Sequence, residues 1–348
     1  MGFEGFPLIV GWELTLACNL RCRHCGSDAG RARADELTLQ EALNICDQLP
    51  PLLVQEVNFT GGEPLLHPNW PAIVERLRML RIQTKMLTNG LLLRPDVVRR
   101  MADLGVAAVG VSLDGGEATH DRIREDPGLF RRALAGMEEL RRADIPSTVI
   151  TTVNALNIDE LPALADLLVA AGVKRWQVQP IFPTGRSGDA VELLLSDADY
   201  MKLGIFIKEW SPKAEAAVME LGPADSFGYF TDCDTRSPQW RGCPGGLMSC
   251  GITSDGKIKG CLSMPDDLIE GDLRVNDLWD IWFHPDSFRR TRRFSHADLG
   301  PNCRDCEHGD QCQGGCTTMS YGSTGRYHND PLCFTRISRG VPAMIANH

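Results

Sequence analysis

Apolar runs of strand length alternate with amphipathic runs of helix length over residues 8–210, and this alternation decides the fold. Strand-like segments cover 8–16, 54–59, 82–87, 106–113, 148–153 and 173–181. Helix-like segments follow at 39–49, 70–80, 96–104, 129–142, 159–171 and 197–210. Gly105 and Gly172 stand where two of these helices must stop. Six successive strand–helix units predict a parallel sheet covered by helices. In such sheets chemistry collects at the carboxyl ends of the strands. After Trp210 the alternation is expected to end in an irregular bridge containing Pro212, Pro223 and Pro238. From Cys243 onward the chain is rich in Gly and Cys and poor in apolar periodicity, so metal centres would have to hold it together.

Cys18, Cys22 and Cys25 form a Cys-x3-Cys-x2-Cys group directly after the first strand-like run. Three thiolates can hold a four-iron cluster by three corners, and the fourth iron is then open to a ligand. A three-thiolate zinc site would use the same residues. The chain has 13 cysteines and no basic or apolar leader at its start, which favours metal ligation over disulfides. No apolar run approaches the length of a membrane span, so a cytoplasmic protein that does not enter a membrane is expected.

The second strand ends in Thr60-Gly61-Gly62-Glu63-Pro64, where glycines let another backbone or a ligand come close and a carboxylate follows. The cysteine group together with Gly61, Gly62, Glu63 and Pro64 resembles the signature of the radical S-adenosylmethionine (SAM) superfamily. His24 departs from it, since many members have an aromatic residue there. The resemblance implies a partial (β/α)6 barrel of the TIM type. It implies that Cys18, Cys22 and Cys25 carry the catalytic cluster, on which SAM is reductively cleaved to a radical that abstracts hydrogen from a substrate. It implies contact of the Gly61–Pro64 segment, through Glu63, with the amino group of SAM. By the same resemblance Ser112, at the end of strand four, meets the SAM carboxylate or ribose, and Asn154, after strand five, reaches the ribose. Gln177 and Gln179 share one face of strand six. If that face is the barrel interior they line SAM or the substrate, with Arg186 in the next loop.

Cys243, Cys250 and Cys261, then Cys303-x2-Cys306-x5-Cys312-x3-Cys316, and finally Cys333 resemble the SPASM domain of peptide-modifying members. Eight thiolates fully ligate two four-iron clusters. The resemblance assigns Cys243, Cys250, Cys261 and Cys316 to one, and Cys303, Cys306, Cys312 and Cys333 to the other. Three [4Fe-4S] clusters and SAM are therefore the expected cofactors. Cys46, in an amphipathic helix, reads as a small buried hydrophobe. Cys233 reads as inert, with a hydrogen-atom donor as the alternative. The expected divisions are a barrel over 1–211, a bridge over 212–241 and a two-cluster SPASM domain over 242–348.

The Trp12-Glu13-Leu14-Thr15 approach to the cluster is similar to peptide maturases of the mycofactocin and pyrroloquinoline quinone type. This points to modification of a ribosomally made peptide or small protein by crosslinking, epimerisation or oxidative decarboxylation. Few residues precede the first strand, so a peptide substrate is expected to need a separate leader-peptide recognition protein, or none, rather than a fused one. A flavodoxin- or ferredoxin-like reductant would supply electrons. The alternatives are an anaerobic sulfatase maturase, a haem-pathway enzyme acting on porphyrin side chains, and a non-catalytic multi-cluster electron carrier. The net charge of −10, from 46 acids against 36 bases, disfavours a nucleic acid partner. Two basic stretches form local exceptions, Arg21, Arg23, Arg31 and Arg33 around the cysteine loop, and Arg289, Arg290, Arg292 and Arg293. A solvated helix face explains the second most simply, and docking of an acidic peptide segment is the other reading.

Overall fold

The structure, a computed structural model, describes residues 5–224, 227 and 241–345. Cys233 lies outside the described residues. Seven strands follow in chain order: β1 (Ile9–Thr15), β2 (Glu56–Gly61), β3 (Gln83–Thr88), β4 (Ala108–Ser112), β5 (Ser147–Val153), β6 (Arg175–Pro180) and β7 (Glu220–Pro223). Each pairs in parallel with the next. Three more strands, β8 (Ser249–Ile252), β9 (Lys257–Lys259) and β10 (Gly271–Asp272), extend the sheet beyond β1. β8 is parallel to β1, and β9 is antiparallel to both its neighbours. The fold is thus α/β, with an open parallel barrel and a cysteine-rich C-terminal region whose first strand joins the same sheet.

The connecting helices are α1 (Leu39–Gln48), α2 (Trp70–Met79), α3 (Pro95–Leu104), α4 (Glu117–Arg124), α5 (Leu129–Arg142), α6 (Leu161–Ala170), the short α7 (Arg186–Asp189) and α8 (Asp197–Ala216). Thr38 caps α1 and Ser196 caps α8, each in a reciprocal capping box. Gly105 ends α3 in the left-handed conformation, as expected. α5 buries Phe130, Ala133, Met137 and Leu140, a spacing of three and four that turns one face to the sheet. Among the described residues no helix is long and apolar enough to cross a membrane.

Two features depart from the periodicity. α8 continues through Pro212 to Ala216, and β7 follows it, so the alternation runs one strand past Trp210. β7 is only Glu-Leu-Gly-Pro, too short and too poor in β-formers to register as a strand. α4, between β4 and α5, has no counterpart in the sequence pattern either. Its sequence EATHDRIR is almost wholly polar, yet His120, Ile123 and Arg124 are buried.

Alternation along the strands gives the barrel two surfaces. Val10, Trp12, Phe59, Met86, Val109 and Trp176 are buried in the core under the helices. The intervening residues line a cavity of about 690 Å³, among them Asn58, Thr60, Lys85, Ile150 and Gln177. Pro244, Cys261 and Leu262 line the same cavity, so the C-terminal region closes the gap that an incomplete barrel leaves.

The upper rim of β2 is built on close backbone contact. Gly62 N–H donates to Thr15 O and Glu63 N–H to Ala17 O, both at 2.8 Å. A Cβ at Gly61 would sit 2.2 Å from Thr15 O, and one at Gly62 would sit 2.1 Å from Ala17 O. Gly61 also holds φ at +130°, outside the range of other residues. The fully buried Glu63 carboxylate accepts from the Thr88 hydroxyl at 2.9 and 3.0 Å, from Asn89 N–H at 2.9 Å and from Leu65 N–H at 3.2 Å. It therefore ties the end of β2 to the end of β3.

Gly62→Ala is expected to cost about 3 kcal/mol in chemical denaturation, because backbone rather than a movable side chain stands in the way. Glu63→Gln should cost about 1–3 kcal/mol, since an amide has one acceptor oxygen where two are used and leaves a buried donor unpaired. Wild-type midpoints in either variant would show that the rim tolerates repacking.

Candidate active site

The loop after β1 carries the cysteine group, and the ends of several strands and helices grip it. An isolated bridge pairs Ala17 with Gly30, and Cys18 N–H donates to Gly30 O at 3.2 Å. Arg186, after β6, donates from Nε to Cys22 O at 3.0 Å and from Nη1 to Ala29 O at 2.7 Å; it also pairs with Asp28 at 2.7 Å. Its own N–H donates to Cys25 O at 3.0 Å. Arg186, which the sequence places only near the substrate, thus holds the cluster loop in shape.

Cys18, Cys22 and Cys25 come together in a small apolar group with Leu20, Leu91 and Leu129. Donors converge on their sulfurs. Ala29 N–H points at Cys25 Sγ from 3.4 Å, Asn89 Nδ2 stands 4.0 Å from Cys18 Sγ, and Arg124 Nη1 stands 4.0 Å from Cys22 Sγ. Burial pushes the Cys22 thiol up to about 11, although Arg124 pulls the other way. Burial likewise raises Cys18. These side chains would be neutral thiols on their own, and a bound metal centre is what would make them thiolates. An array of cationic and amide donors aimed at sulfur suits an anionic iron–sulfur cluster.

Arg124 is buried, and its charge is met by Asp114. Arg124 Nε lies 2.7 Å from Asp114 Oδ2, and His24 Nε2 lies 3.0 Å from the same oxygen. Thr152 N–H donates to Asp114 Oδ1 at 2.9 Å, and Asp114 N–H donates to His120 Nδ1 at 3.0 Å. Burial opposes the charge on Asp114, but Arg124 and His24 hold its carboxyl well below the usual carboxylate range. Burial lowers His120 to about 4, with Arg124 adding to the effect. Sequence reasoning misses Asp114, His120 and Arg124 as site residues, because α4 leaves no periodic signal. His24 replaces an aromatic residue with a side chain that anchors this network.

Ser112, Thr152 and Gln179 occupy one face at the upper ends of β4, β5 and β6, all half-buried. Gln179 Nε2 donates to Thr152 Oγ1 at 3.2 Å. Gln177, two residues earlier on that face, lines the barrel cavity. Asn154 lies just beyond β5. It is fully buried, and its side chain accepts from Leu156 N–H at 3.0 Å and donates to Thr152 O at 3.1 Å, so its polar groups serve its own turn.

The thiols after residue 242 influence one another in two sets. Burial raises Cys316 far above its usual value, with Cys243 and Cys261 adding to it. Burial raises Cys303, and Asp330, Cys312, Cys333 and Cys306 add to that. Cys250, pushed up to about 12 by burial, sits on β8 opposite Val10 in the core, whereas Cys261 lines the barrel cavity. Cys46 is fully buried in the core, as expected. Among the described residues no three His, Cys, Asp or Glu side chains are disposed to hold a single metal ion.

Comparison with known proteins bears on the same segments. The profile of the radical SAM superfamily matches residues 12–168, and that of an iron–sulfur cluster-binding domain, SPASM, matches residues 243–307. The AdoMet-dependent heme synthase of Methanosarcina barkeri is 32% identical over 345 residues, covering 95% of this chain and 97% of that protein. The mycofactocin maturase MftC of Mycobacterium tuberculosis is 30% identical over 325 residues, covering 90% of this chain and 79% of that protein. In fold, the chain is similar to Streptococcus suis SuiB bound to its precursor peptide SuiA, with a TM-score of 0.76 and 18% identity over 95% of this chain and 77% of that one. Matched along its barrel by the superfamily profile, and along nearly its whole length by a relative that depends on S-adenosylmethionine, the chain belongs to the radical SAM superfamily as an enzyme with a C-terminal SPASM domain.

Proposed function

We propose that this enzyme oxidises a C–H bond of a peptide or small-protein side chain held in the barrel, and passes an electron from the substrate to the C-terminal region. Cys18, Cys22 and Cys25 would hold the SAM-binding cluster. Cys243, Cys250, Cys261 and Cys316 would hold one auxiliary cluster, and Cys303, Cys306, Cys312 and Cys333 the other. The wider spacing of thiolates on separate irons is compatible with trios that do not converge on one ion. When bound, SAM on a reduced cluster supplies a 5′-deoxyadenosyl radical that removes a hydrogen atom from an unactivated C–H bond.

The residues divide the remaining work. Arg124 and Asn89 present positive charge and a donor to the cluster sulfurs, and Asp114 keeps Arg124 charged and in place. The rim from Gly61 to Pro64 offers the SAM amino group its backbone, with Glu63 as a positioning residue. Ser112 and the Thr152–Gln179 pair face the same end and suit the carboxylate and ribose of SAM. Gln177 and Thr60 lie deeper in the cavity, where a substrate group would be oriented and screened from water.

The observation that carries the oxidative reading is that Cys261 lines the same cavity as Gln177. An electron leaving a substrate radical has a proposed auxiliary cluster at the cavity wall. Crosslinking and oxidative decarboxylation need such an exit, whereas epimerisation returns the same oxidation state. A second reading, a haem-pathway enzyme acting on porphyrin side chains, is favoured by the match of this chain to a heme synthase over 97% of that protein's length.

Protein reconstituted without oxygen should bind about twelve iron atoms per chain, and a plateau near four or eight would remove one or both auxiliary clusters. Replacing Cys18, Cys22 and Cys25 together by Ala should abolish 5′-deoxyadenosine formation and keep the remaining iron. Retained cleavage would displace the cluster from this loop. Incubation with peptides encoded beside the gene, and in parallel with a carboxylate-bearing iron porphyrin, should give mass loss and 5′-deoxyadenosine only with a peptide. Turnover of the porphyrin alone would establish the second reading.

A further inference from the structure

A pocket of about 620 Å³ in the C-terminal region gives this acidic chain a basic surface. Arg289, Arg290, Arg293, Arg304 and Arg326 line it, all exposed, against the single carboxylate of Asp298. Arg293 has a distant partner in Asp286 at 3.8 Å. Arg289, Arg290, Arg304 and Arg326 have no carboxylate partner among the described residues, although Arg290 stacks on the Tyr327 ring at 4.3 Å. The run Arg289–Arg293 is therefore more than a solvated helix face. Its single helical turn meets two other segments of chain around one hollow.

One wall of the hollow is the turn that carries Cys303. Cys303 N–H and Arg304 N–H both donate to Gly300 O at 2.9 Å, and Gly300 and Arg304 line the pocket. Side-chain flexibility and repulsion among unpaired guanidinium groups make such a cluster costly to keep without an anionic counterpart. We infer that this pocket docks the acidic face of a one-electron carrier protein of the flavodoxin class at the proposed second auxiliary cluster. The inference rests on the oxidative reading above, in which each turnover takes one electron from the reductant for SAM cleavage and leaves one electron from the substrate on the C-terminal region to be discarded. A protein with carboxylates around its flavin matches the pocket in charge, and through Gly300 and Arg304 the pocket wall would bring its redox group near Cys303, a proposed cluster ligand. One electron passes from the reduced auxiliary centre to the oxidised flavin, which takes up one proton from solvent. An acidic peptide segment would match the charge and gain nothing from the position beside Cys303.

The test uses the reconstituted holoenzyme and a purified oxidised flavodoxin. Calorimetric titration should give a dissociation constant that rises steeply with salt, and the dithionite-reduced enzyme should be reoxidised by flavodoxin in stopped flow. Arg304→Glu combined with Arg326→Glu should weaken binding at low salt about tenfold or more and slow reoxidation in proportion. Iron content and 5′-deoxyadenosine formation with dithionite should stay as in the wild type, and the matching pair of Lys substitutions should keep both binding and reoxidation. Salt-insensitive docking of the unaltered enzyme would overturn the inference, even if the charge-reversed protein failed to fold. So would a charge-reversed protein that is reoxidised at the wild-type rate, or one that loses affinity for a polyglutamate peptide and not for flavodoxin. Neither measurement needs a substrate, so a mistaken oxidative assignment would show as absent product while docking persisted.

Discussion

Two peptide groups fix the position of everything around the cysteine loop. Thr15 O and Ala17 O accept from Gly62 and Glu63 N–H, with no room for a side chain between the two backbones. The loop is then laid across the end of β2 as if it were a continuation of the sheet. Glu63 carries that order to β3 through Thr88 and Asn89, and Asn89 in turn reaches Cys18. Arg186 clamps the far side from the end of β6. Parallel strands whose ends all lie at one rim make this convergence available, and helices that cover the outer face leave the rim free to hold polar groups.

The same rim solves an electrostatic problem. A cluster on thiolates is anionic and buried, and an isolated buried charge is strongly unfavourable. Arg124 would offset such a charge beside Cys22, but a buried guanidinium needs its own counter-charge, and Asp114 supplies that. Removing one member of such a pair typically costs roughly 3–5 kcal/mol, because the other is left uncompensated. His24 and Thr152 complete the hydrogen bonds of Asp114. Cysteine loop, α4 and β5 are thereby joined by charge, where apolar packing is sparse.

Long amphipathic segments are legible in the chain. The helix expected over 129–142 is α5 to the residue, and the six strands expected up to residue 181 are all present within a few residues of their predicted bounds. Their periodicity comes from one dominant force, burial of a single face. Short or polar elements lack that signal. β7 is held by pairing to β6, and α4 by a salt bridge and the ring contact of His120 with Phe130, neither of which leaves a periodic trace. At the site, the cysteines and the Gly61–Pro64 segment are recognisable because ligand spacing and backbone clearance constrain residue type directly. The partners of Glu63 and Asp114 are not, since they lie 25 residues or more away in sequence or on the unrecognised helix. Asn154 is a polar residue at a strand end whose side chain bonds within its own turn.

β1 stands between β2 and β8, with Val10 opposite Cys250 and the cysteine group beginning eight residues further along the same strand and its extension. A continuous stretch of that length spans no more than about 29 Å. The sulfur of Cys250 and that of Cys18 are therefore spaced by a hydrogen-bonded ruler, not by a hinge between modules. Electron tunnelling falls steeply with distance, so a spacing set by a hinge would make the transfer rate fluctuate with every opening. With the proposed clusters in place, the gap between them would be as stiff as the ladder itself.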